Sequence, residues 1–272
     1  MIGWLEAFVL GVVQGITEYL PVSSSGHLVI FQALFGMEDP MLLFDIVLHT
    51  GTLVAVVWFY RKELLASVAD VTAGAKALAA GTSYKTLYQT NEGVRLWTLI
   101  LFGTIPTGII GVGFKDEFEA LFGSPARTGA MLIVTGLILL ATRYAKDEGR
   151  TEMRIRWWEA VAIGVVQGIA ITPGISRSGS TIAAALLLGI DRATAARFSF
   201  LLSLPAITGA LILKFEPEVN ADPVSFAIGF FAAMIVGYLC LAFLVAIVKK
   251  GRLSWFAWYC FAAGAATMLF IK

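Results

Sequence analysis

Charged residues are scarce in this sequence. Asp, Glu, Lys and Arg together make up 14% of its 272 residues, whereas soluble domains carry about 25%. Hydrophobic residues make up 58%, and the mean hydropathy is +0.82. A chain with so few polar residues cannot cover a folded core with a hydrated surface, so its composition predicts an integral membrane protein.

Three further absences narrow the range of functions. The net charge is +1, so the sequence lacks the excess of Lys and Arg expected for a nucleic-acid partner. Its two cysteines, Cys240 and Cys260, lie within apolar runs and indicate neither a disulfide framework nor a metal site. The apolar N-terminus has no basic region and no small-residue cleavage site, so we interpret it as part of the fold and not as a secretory signal.

Long apolar runs are what the sequence has in abundance. A helix needs about 20 mostly apolar residues to cross the hydrocarbon of a bilayer, and six stretches of the chain qualify. Trp, Tyr and charged residues flank them, as is typical at membrane interfaces. The predicted transmembrane helices are Met41–Tyr60, Leu96–Phe114, Arg127–Tyr144, Thr194–Lys214, Val224–Val248 and Leu253–Ile271.

Two other apolar regions are interrupted by Gly, Pro and Ser. The first break is Pro21–Gly26 and the second is Pro173–Gly179, and the apolar run after each is too short to span a membrane. Irregular backbone at membrane depth is tolerated only where protein or a wet cavity surrounds it. We therefore predict two re-entrant helical hairpins, residues 1–36 and 157–190, which enter the membrane and return to the same side.

The two interrupted regions are copies of each other at a constant offset of 153 residues. Glu6 matches Glu159, and the run Gly11–Ile16 is identical to Gly164–Ile169. The agreement continues without a gap into the breaks, where the first copy contributes Ser23, Ser25 and Gly26 and the second contributes Ser176, Ser178 and Gly179. This density of identity indicates an internal repeat.

The number of spans between the copies sets their relative orientation. Three predicted spans separate the hairpins, and an odd number of crossings puts the second hairpin on the opposite side of the membrane. The sequence thus predicts an all-α polytopic protein with an inverted-topology repeat, in which residues 1–144 and 157–272 form two halves of a single membrane domain, 1–272. Such architectures place their polar site near the midplane, where the broken helices meet.

The distribution of Lys and Arg gives an independent prediction of topology. Cytoplasmic loops carry an excess of basic residues, and one side of the predicted topology holds most of them. That side has Arg61, Lys62, Lys76, Lys85, Arg95, Arg143, Lys146, Arg150, Arg154, Arg156, Arg192, Arg197, Lys249, Lys250 and Arg252, and the other has Lys115, Arg127, Lys214 and Lys272. We therefore expect both termini outside, with the first hairpin entering from outside and the second from the cytoplasm.

Ionisable residues in or beside the two breaks are the candidates for chemistry, because a charge within the membrane is costly. Glu18 and Gln14 share one helix face, and His27 begins the half-helix after the first break. Arg177 stands in the second break at the position that matches Ser24. If the two breaks meet, a carboxylate, an imidazole, hydroxyls and a guanidinium converge near helix N-termini, which favours a phosphoryl or carboxylate ligand.

These motifs make the chain resemble a known family. Residues 14–18 (Gln-Gly-Ile-Thr-Glu), 21–27 (Pro-Val-Ser-Ser-Ser-Gly-His) and 173–181 (Pro-Gly-Ile-Ser-Arg-Ser-Gly-Ser-Thr) resemble those of the undecaprenyl-diphosphate phosphatases, also called bacitracin-resistance proteins. The resemblance extends over essentially the whole chain. It implies hydrolysis of undecaprenyl diphosphate to the monophosphate, which recycles the lipid carrier for cell-wall synthesis, at a site open to the outer face of the plasma membrane.

The resemblance also implies roles for individual residues and a divalent cation, Mg²⁺ or Ca²⁺. Glu18 matches the second acid of the family's first motif and His27 matches its histidine. The expected catalytic residues are Glu18, His27, Ser24 and Arg177. The nucleophile is either Ser24, paired with His27 three residues on, or a metal-activated water. The residues expected to bind the substrate phosphates are Ser23, Ser25, Ser176, Arg177, Ser178 and Thr181.

Metal binding is assigned to Glu18 and Gln14, although Gln14 occupies a position that is Glu in many members of the family. An amide oxygen can still bind a cation, but the case for two carboxylates on one metal is weakened. Asp45 and His49, four residues apart on one span, are predicted to support the site from outside. Serines at a turn often cap helices, and Ser23 and Thr17 fit that role as well.

Two other classes of function compete with the phosphatase. A transporter or flippase for a polyprenyl phosphate fits the inverted repeat, because broken helices are a transporter design. A purely structural subunit leaves the costly ionisable groups at both breaks unexplained. The lipid bilayer and a polyprenyl diphosphate are the expected partners. Prenyl chain length and oligomeric state stay open, with a homodimer as one candidate.

Overall fold

The computed structural model describes residues 2–37, 41–122, 124–146, 149–214 and 222–270. Within these ranges the chain is helical, and the only β-type pairing is an isolated bridge between Arg150 and Ile190. The first six helices are α1 (Trp4–Tyr19), α2 (Ser24–Leu34), α3 (Leu42–Phe59), α4 (Arg61–Ala79), α5 (Tyr84–Thr90) and α6 (Glu92–Gly113). The remaining helices are α7 (Lys115–Phe122), α8 (Pro125–Ala141), α9 (Trp157–Ile169), α10 (Arg177–Leu187), α11 (Arg192–Lys214), α12 (Pro223–Lys249) and α13 (Phe256–Phe270). The all-α prediction is confirmed.

Five stretches of helix in the described chain are long and apolar enough to cross a membrane. They are Glu92–Gly113, Pro125–Tyr144, Arg192–Leu213, Pro223–Lys249 and Leu253–Phe270, and each corresponds to a predicted span. The predicted span Met41–Tyr60 is α3, which passes the same test only together with α4, from which it is bent by 72°. A polytopic membrane protein is therefore confirmed, and the count of six spans stays a prediction.

The outward-facing surfaces fit a hydrocarbon environment. Large apolar side chains on the spanning helices are widely exposed, including Ile109 on α6, Ile212 on α11 and Leu269 on α13. Water-soluble proteins rarely expose contiguous apolar surface on this scale. The buried side includes α11, where Phe198 and Phe200 are almost fully enclosed. The helices thus pack around an inner core and present their apolar outer faces to lipid.

Both interrupted regions form short helices that fold back on each other. The helix before the first break, α1, has 16 residues, and its counterpart α9 has 13. At 1.5 Å per residue these are about 24 Å and about 20 Å long, which is less than the roughly 30 Å of hydrocarbon. Since α1 packs against α2 and α9 against α10, each region is a helical hairpin whose turn lies at the predicted break.

Each hairpin packs against a long helix from the other half of the chain. Helix α1 lies along α12, and α9 lies along α6. Glycines allow the close approach, since a Cβ at Gly11 would lie 2.5 Å from the carbonyl oxygen of Gly229, and one at Gly164 would overlap the carbonyl of Gly103. Gly11 and Gly164 are equivalent in the sequence repeat. This reciprocal packing is what an inverted repeat requires, although the repeat and the boundaries of its halves stay predictions and residues 1, 215–221 and 271–272 lie outside the described chain.

Candidate active site

The carboxylate of Glu18, at the end of α1, joins the two hairpins. Its Oε1 forms an ion pair with Arg177 Nη2, on the first turn of α10. Its Oε2 accepts hydrogen bonds from Ser24 Oγ at 2.6 Å and from Gln14 Nε2 at 3.0 Å. The Glu18 side chain is only 4% exposed and that of Arg177 17%. The structure therefore brings three other predicted site residues together around the buried carboxylate of Glu18.

The two turns are also in direct contact, through a side chain of the first and the backbone of the second. Ser23 Oγ accepts hydrogen bonds from the backbone N–H of Gly26, within its own turn, and of Gly174, in the opposite turn, at 3.3 and 3.1 Å. Ser23 has a φ of +68°, which non-glycine residues rarely adopt. The predicted meeting of the two breaks is thus present in the structure. Ser23 occupies the helix-capping role that its sequence position also allowed, and its contact with phosphate stays a prediction.

The second turn repeats the capping arrangement of the first. Ser176 Oγ accepts a hydrogen bond from Gly179 N–H at 3.1 Å and lies 3.3 Å from Ser178 Oγ. In the first turn, the Oγ atoms of Ser23 and Ser25 are 3.4 Å apart. The hydroxyl of Thr181 donates to the carbonyl of Arg177 at 2.9 Å. These hydroxyls hold the N-terminus of α10 in place, and the partial positive charge of that terminus favours an anion beside Arg177.

The imidazole of His27 faces away from Ser24. Its Nδ1 lies 2.8 Å from the carbonyl oxygen of Ser23, and its Nε2 lies 2.7 Å from Tyr259 Oη on α13. Both ring nitrogens are therefore engaged, while Ser24 donates to Glu18. A Ser24–His27 pair, which the spacing of three residues suggested, is replaced in the structure by a Ser24–Glu18 pair.

Tyr259 is the site residue that the sequence did not reveal. It lies in an apolar helix 232 residues away from His27, next to Trp258, so it has the sequence signature of an aromatic anchor at a membrane interface. Its neighbour Cys260 is buried, and its thiol contacts the carbonyl oxygen of Pro21 at 3.6 Å. The identities that mark the repeat lie in the two hairpins and not in α13. No motif in the sequence therefore linked this helix to the site.

Asp45 and His49 lie beside the site on α3, and His49 contacts the backbone of Asp45. His49 Nε2 is 3.6 Å from Glu18 Oε2, and its Nδ1 is bonded to the backbone oxygen of Asp45 at 2.7 Å. The carboxylate of Asp45 accepts a hydrogen bond from Gln32 Nε2 at 2.8 Å, which connects α3 to α2. Of the two residues, His49 is the one that reaches the central carboxylate.

The donor atoms around Glu18 are compatible with a hard divalent cation. Gln14 Oε1 is buried and has no hydrogen-bond partner among the described residues, and its amide nitrogen is bonded to Glu18. Such an oxygen is satisfied by a cation or by water. The described chain has no group of three or more His, Cys, Asp or Glu side chains suited to a metal. Substrate oxygens and water would have to complete the coordination, as is usual for Mg²⁺ at phosphate sites.

Comparison with known proteins matches this site to a family. Residues 7–266 match the family model described as "Bacitracin resistance protein BacA". The chain belongs to this family. The match covers both turns and every residue of the BacA-type site described above, so the resemblance found in the sequence motifs is confirmed.

Curated relatives of this BacA-family chain match it along nearly their whole length. An undecaprenyl-diphosphatase from Desulfatibacillum aliphaticivorans is 49% identical over 270 residues, which cover 98% of each chain. One from Carboxydothermus hydrogenoformans is 44% identical, covering 97% of this chain and 96% of the relative. One from Methanosphaera stadtmanae is 40% identical, covering 99% and 98%.

Proposed function

We propose that the protein hydrolyses undecaprenyl diphosphate to undecaprenyl phosphate and inorganic phosphate. The names of its full-length relatives favour this phosphatase over a flippase. The observation that carries the proposal is the arrangement at Glu18, where one buried carboxylate holds both an arginine and a serine hydroxyl. A site for binding and moving an anionic lipid would need the arginine, but it has no need of a hydroxyl held 2.6 Å from a carboxylate.

Arg177 binds the phosphates in this mechanism. Its planar guanidinium matches two phosphate oxygens, and an incoming diphosphate competes with Glu18 for it. As Arg177 turns to the substrate, its contact with Oε1 of Glu18 is released, while Oε2 keeps the hydrogen bond from Ser24. The carboxylate is then placed to accept the proton of the hydroxyl that already donates to it.

Ser24 is the proposed nucleophile and Glu18 its general base. As Glu18 accepts the hydroxyl proton, Ser24 Oγ forms a bond to the terminal phosphorus, and the bond from that phosphorus to the bridging oxygen breaks. The bridging oxygen keeps the electron pair and leaves as undecaprenyl phosphate. Water then hydrolyses the phosphoserine and returns a proton to Ser24, and Glu18 gives up its proton to solvent.

The remaining groups support this chemistry. A divalent cation, Mg²⁺ or Ca²⁺, held by Glu18 and Gln14 Oε1, would supply positive charge to the diphosphate. The hydroxyls of Ser25, Ser176, Ser178 and Thr181 lie in or beside the two turns, and we assign them to binding the substrate phosphates. His27, on the other side of the first turn, is the remaining acid or base, and we assign it to proton exchange with the product phosphate.

The proposed location is the plasma membrane, with both termini outside and the site open to the outer face. The support for this orientation is the excess of Lys and Arg on one side of the predicted topology. Phosphate would then be released outside, where the lipid carrier delivers cell-wall sugars. Assembly as a homodimer stays a prediction.

The test is phosphate release from undecaprenyl diphosphate by the purified protein in detergent. We expect release that a chelator suppresses, and a loss of roughly 10- to 100-fold in Arg177→Lys, because a point charge does not reproduce the two-pronged contact. Arg143→Lys is the matched control, since Arg143 is exposed at the end of α8. Wild-type activity in Arg177→Lys would contradict the phosphate role of the guanidinium.

A well-folded wild-type protein that releases no phosphate but still binds undecaprenyl phosphate would overturn the enzyme proposal in favour of a transporter. Retention of a phosphoryl group on the wild-type protein, and its absence in Ser24→Ala, would distinguish attack by Ser24 from direct attack by water. Full activity in Ser24→Ala would contradict the nucleophile assignment.

A further inference from the structure

Helix α13 contacts the first turn of the site at two successive residues. Tyr259 Oη is 2.7 Å from His27 Nε2, and Cys260 Sγ is 3.6 Å from the carbonyl oxygen of Pro21. The rings of Tyr259 and His27 are also stacked, with centroids 5.7 Å apart and planes 13° from parallel. The position and tilt of the imidazole are therefore set by a helix that contributes no other recognised residue to the site.

The hydrogen bonds of His27 determine its tautomer. A backbone carbonyl can only accept a hydrogen bond, so the nitrogen that faces the Ser23 carbonyl, Nδ1, carries a proton. A neutral imidazole has one protonated nitrogen and one acceptor nitrogen. Nε2 is then the acceptor, and the Tyr259 hydroxyl donates to it. The basic nitrogen of His27 is thus the one that faces α13.

The same hydroxyl can accommodate both protonation states of His27. When Nε2 gains a proton, it becomes a donor, and Tyr259 Oη can rotate its own proton away and accept. His27 is 5% exposed and Tyr259 is 48% exposed. The phenol is therefore the more exposed of the two groups. Its hydroxyl forms the hydrogen bond to Nε2, the basic nitrogen of the buried imidazole.

We propose that Tyr259 is a positioning residue for His27. Its hydroxyl donates to Nε2 of the neutral Nδ1–H tautomer, which the Ser23 carbonyl selects, and so fixes the rotation of the ring and the nitrogen through which His27 exchanges its proton. The catalytic consequence of this arrangement rests on the phosphatase function proposed above, whereas the tautomer itself does not. In hydrolases of another type, an oriented histidine loses most of its catalytic value when its tautomer is wrong.

The tautomer is measured directly by NMR of the full-length protein labelled with ¹⁵N-histidine in detergent. The chain has only two histidines, and His49→Gln identifies the signals of His27. At mildly alkaline pH, we expect wild-type His27 to be protonated at Nδ1 and unprotonated at Nε2. In Tyr259→Phe, which keeps the ring but loses the hydroxyl, the Nε2 signal of His27 should shift because its hydrogen-bond donor is lost, while Nδ1 stays protonated against the Ser23 carbonyl. Tyr144→Phe, at a tyrosine 86% exposed, is the control.

The kinetic test compares Tyr259→Phe with His27→Ala and with the double variant. We expect kcat to fall by about tenfold in Tyr259→Phe with KM within about twofold, since general acid–base catalysis contributes roughly 100- to 10,000-fold. In a His27→Ala background, Tyr259→Phe should have no further effect. A merely structural tyrosine would lower activity equally in both backgrounds, and thermal unfolding in detergent checks that each variant is folded.

The outcomes separate this proposal from the proposed function. His27 protonated at Nε2 in the wild type, or an unchanged His27 spectrum in Tyr259→Phe, would overturn the positioning role even if the protein is an active phosphatase. The expected spectra from a protein without phosphatase activity would support the positioning of His27 and count only against the proposed reaction.

Discussion

A single buried carboxylate, Glu18, organises the candidate site. An ionised side chain at membrane depth costs at least a few kcal/mol unless it is paired. Glu18 is paired with Arg177 and accepts hydrogen bonds from Ser24 and Gln14. Removing one partner of a buried ion pair leaves the other charge uncompensated. The pair therefore contributes to folding as well as to the proposed chemistry.

We expect Glu18→Gln to lower the free energy of unfolding by about 3 kcal/mol, because Arg177 is then left without its partner. The double variant Glu18→Gln/Arg177→Gln should regain part of that loss, since no unpaired charge remains. Thermal or denaturant unfolding in detergent measures both, with Glu117→Gln as the control at an exposed carboxylate. A double variant that is less stable than Glu18→Gln would argue against the ion pair as the cause.

At the scale of the element, glycines set how closely each hairpin approaches its partner helix. A Cβ on Gly164 of α9 would overlap the backbone of Gly103 on α6. A hydrogen bond between the two helices also depends on this close approach, since Thr107 Oγ1 on α6 donates to the Gly164 carbonyl at 2.8 Å. Protein interiors are close-packed, so an added methyl group here has no room.

Gly164→Ala should therefore destabilise the protein by about 1–3 kcal/mol through overpacking. Gly108→Ala is a matched control on the facing helix, because a Cβ there has nothing within 4 Å, and alanine is the better helix former by about 1 kcal/mol. Unfolding of the two variants in the same detergent makes the comparison. Equal stability of Gly164→Ala and Gly108→Ala would show that α9 and α6 do not pack as closely as described.

At the scale of the whole molecule, the two hairpins are predicted to enter from opposite sides. Their turns meet in the structure through the Ser23–Gly174 hydrogen bond, and neither hairpin helix is long enough to cross the hydrocarbon. Two short hairpins can meet at mid-depth from opposite faces only if the helices between them cross an odd number of times. Because α6 is one of the three predicted crossings between the hairpins, the loops on either side of it must lie on opposite faces of the membrane.

Labelling of single cysteines in intact cells tests this topology. In a Cys240→Ala/Cys260→Ala background, Glu117→Cys on α7 should react with a membrane-impermeant maleimide. Lys85→Cys, in the basic loop before α6, should react only after the membrane is permeabilised, because the positive-inside rule puts it in the cytoplasm. Both positions are exposed. Labelling of both from the same side would contradict the inverted arrangement.

The sequence by itself determined the membrane class, the positions of the long apolar helices and the two breaks, but not the helices α4, α5 and α7. These properties are local: apolar length decides whether a helix can span, and Pro21–Gly26 and Pro173–Gly179 interrupt helices through their own backbone preferences. The repeat was also readable, because its identities are aligned without gaps. Glu18, His27 and Arg177 could be singled out because ionisable groups at membrane depth are costly and therefore informative.

The tertiary structure alone decided which of these groups bond to each other. Spacing along the chain suggested that Ser24 pairs with His27, but the turn directs Ser24 to Glu18 and His27 to Tyr259. The 72° bend between α3 and α4 is likewise a feature of the structure that the sequence did not indicate. Hydrogen bonds depend on the position and rotation of helices packed from distant parts of the chain. The apolar periodicity of a helix indicates which of its faces is buried. It does not indicate which residue of a neighbouring helix each buried residue contacts.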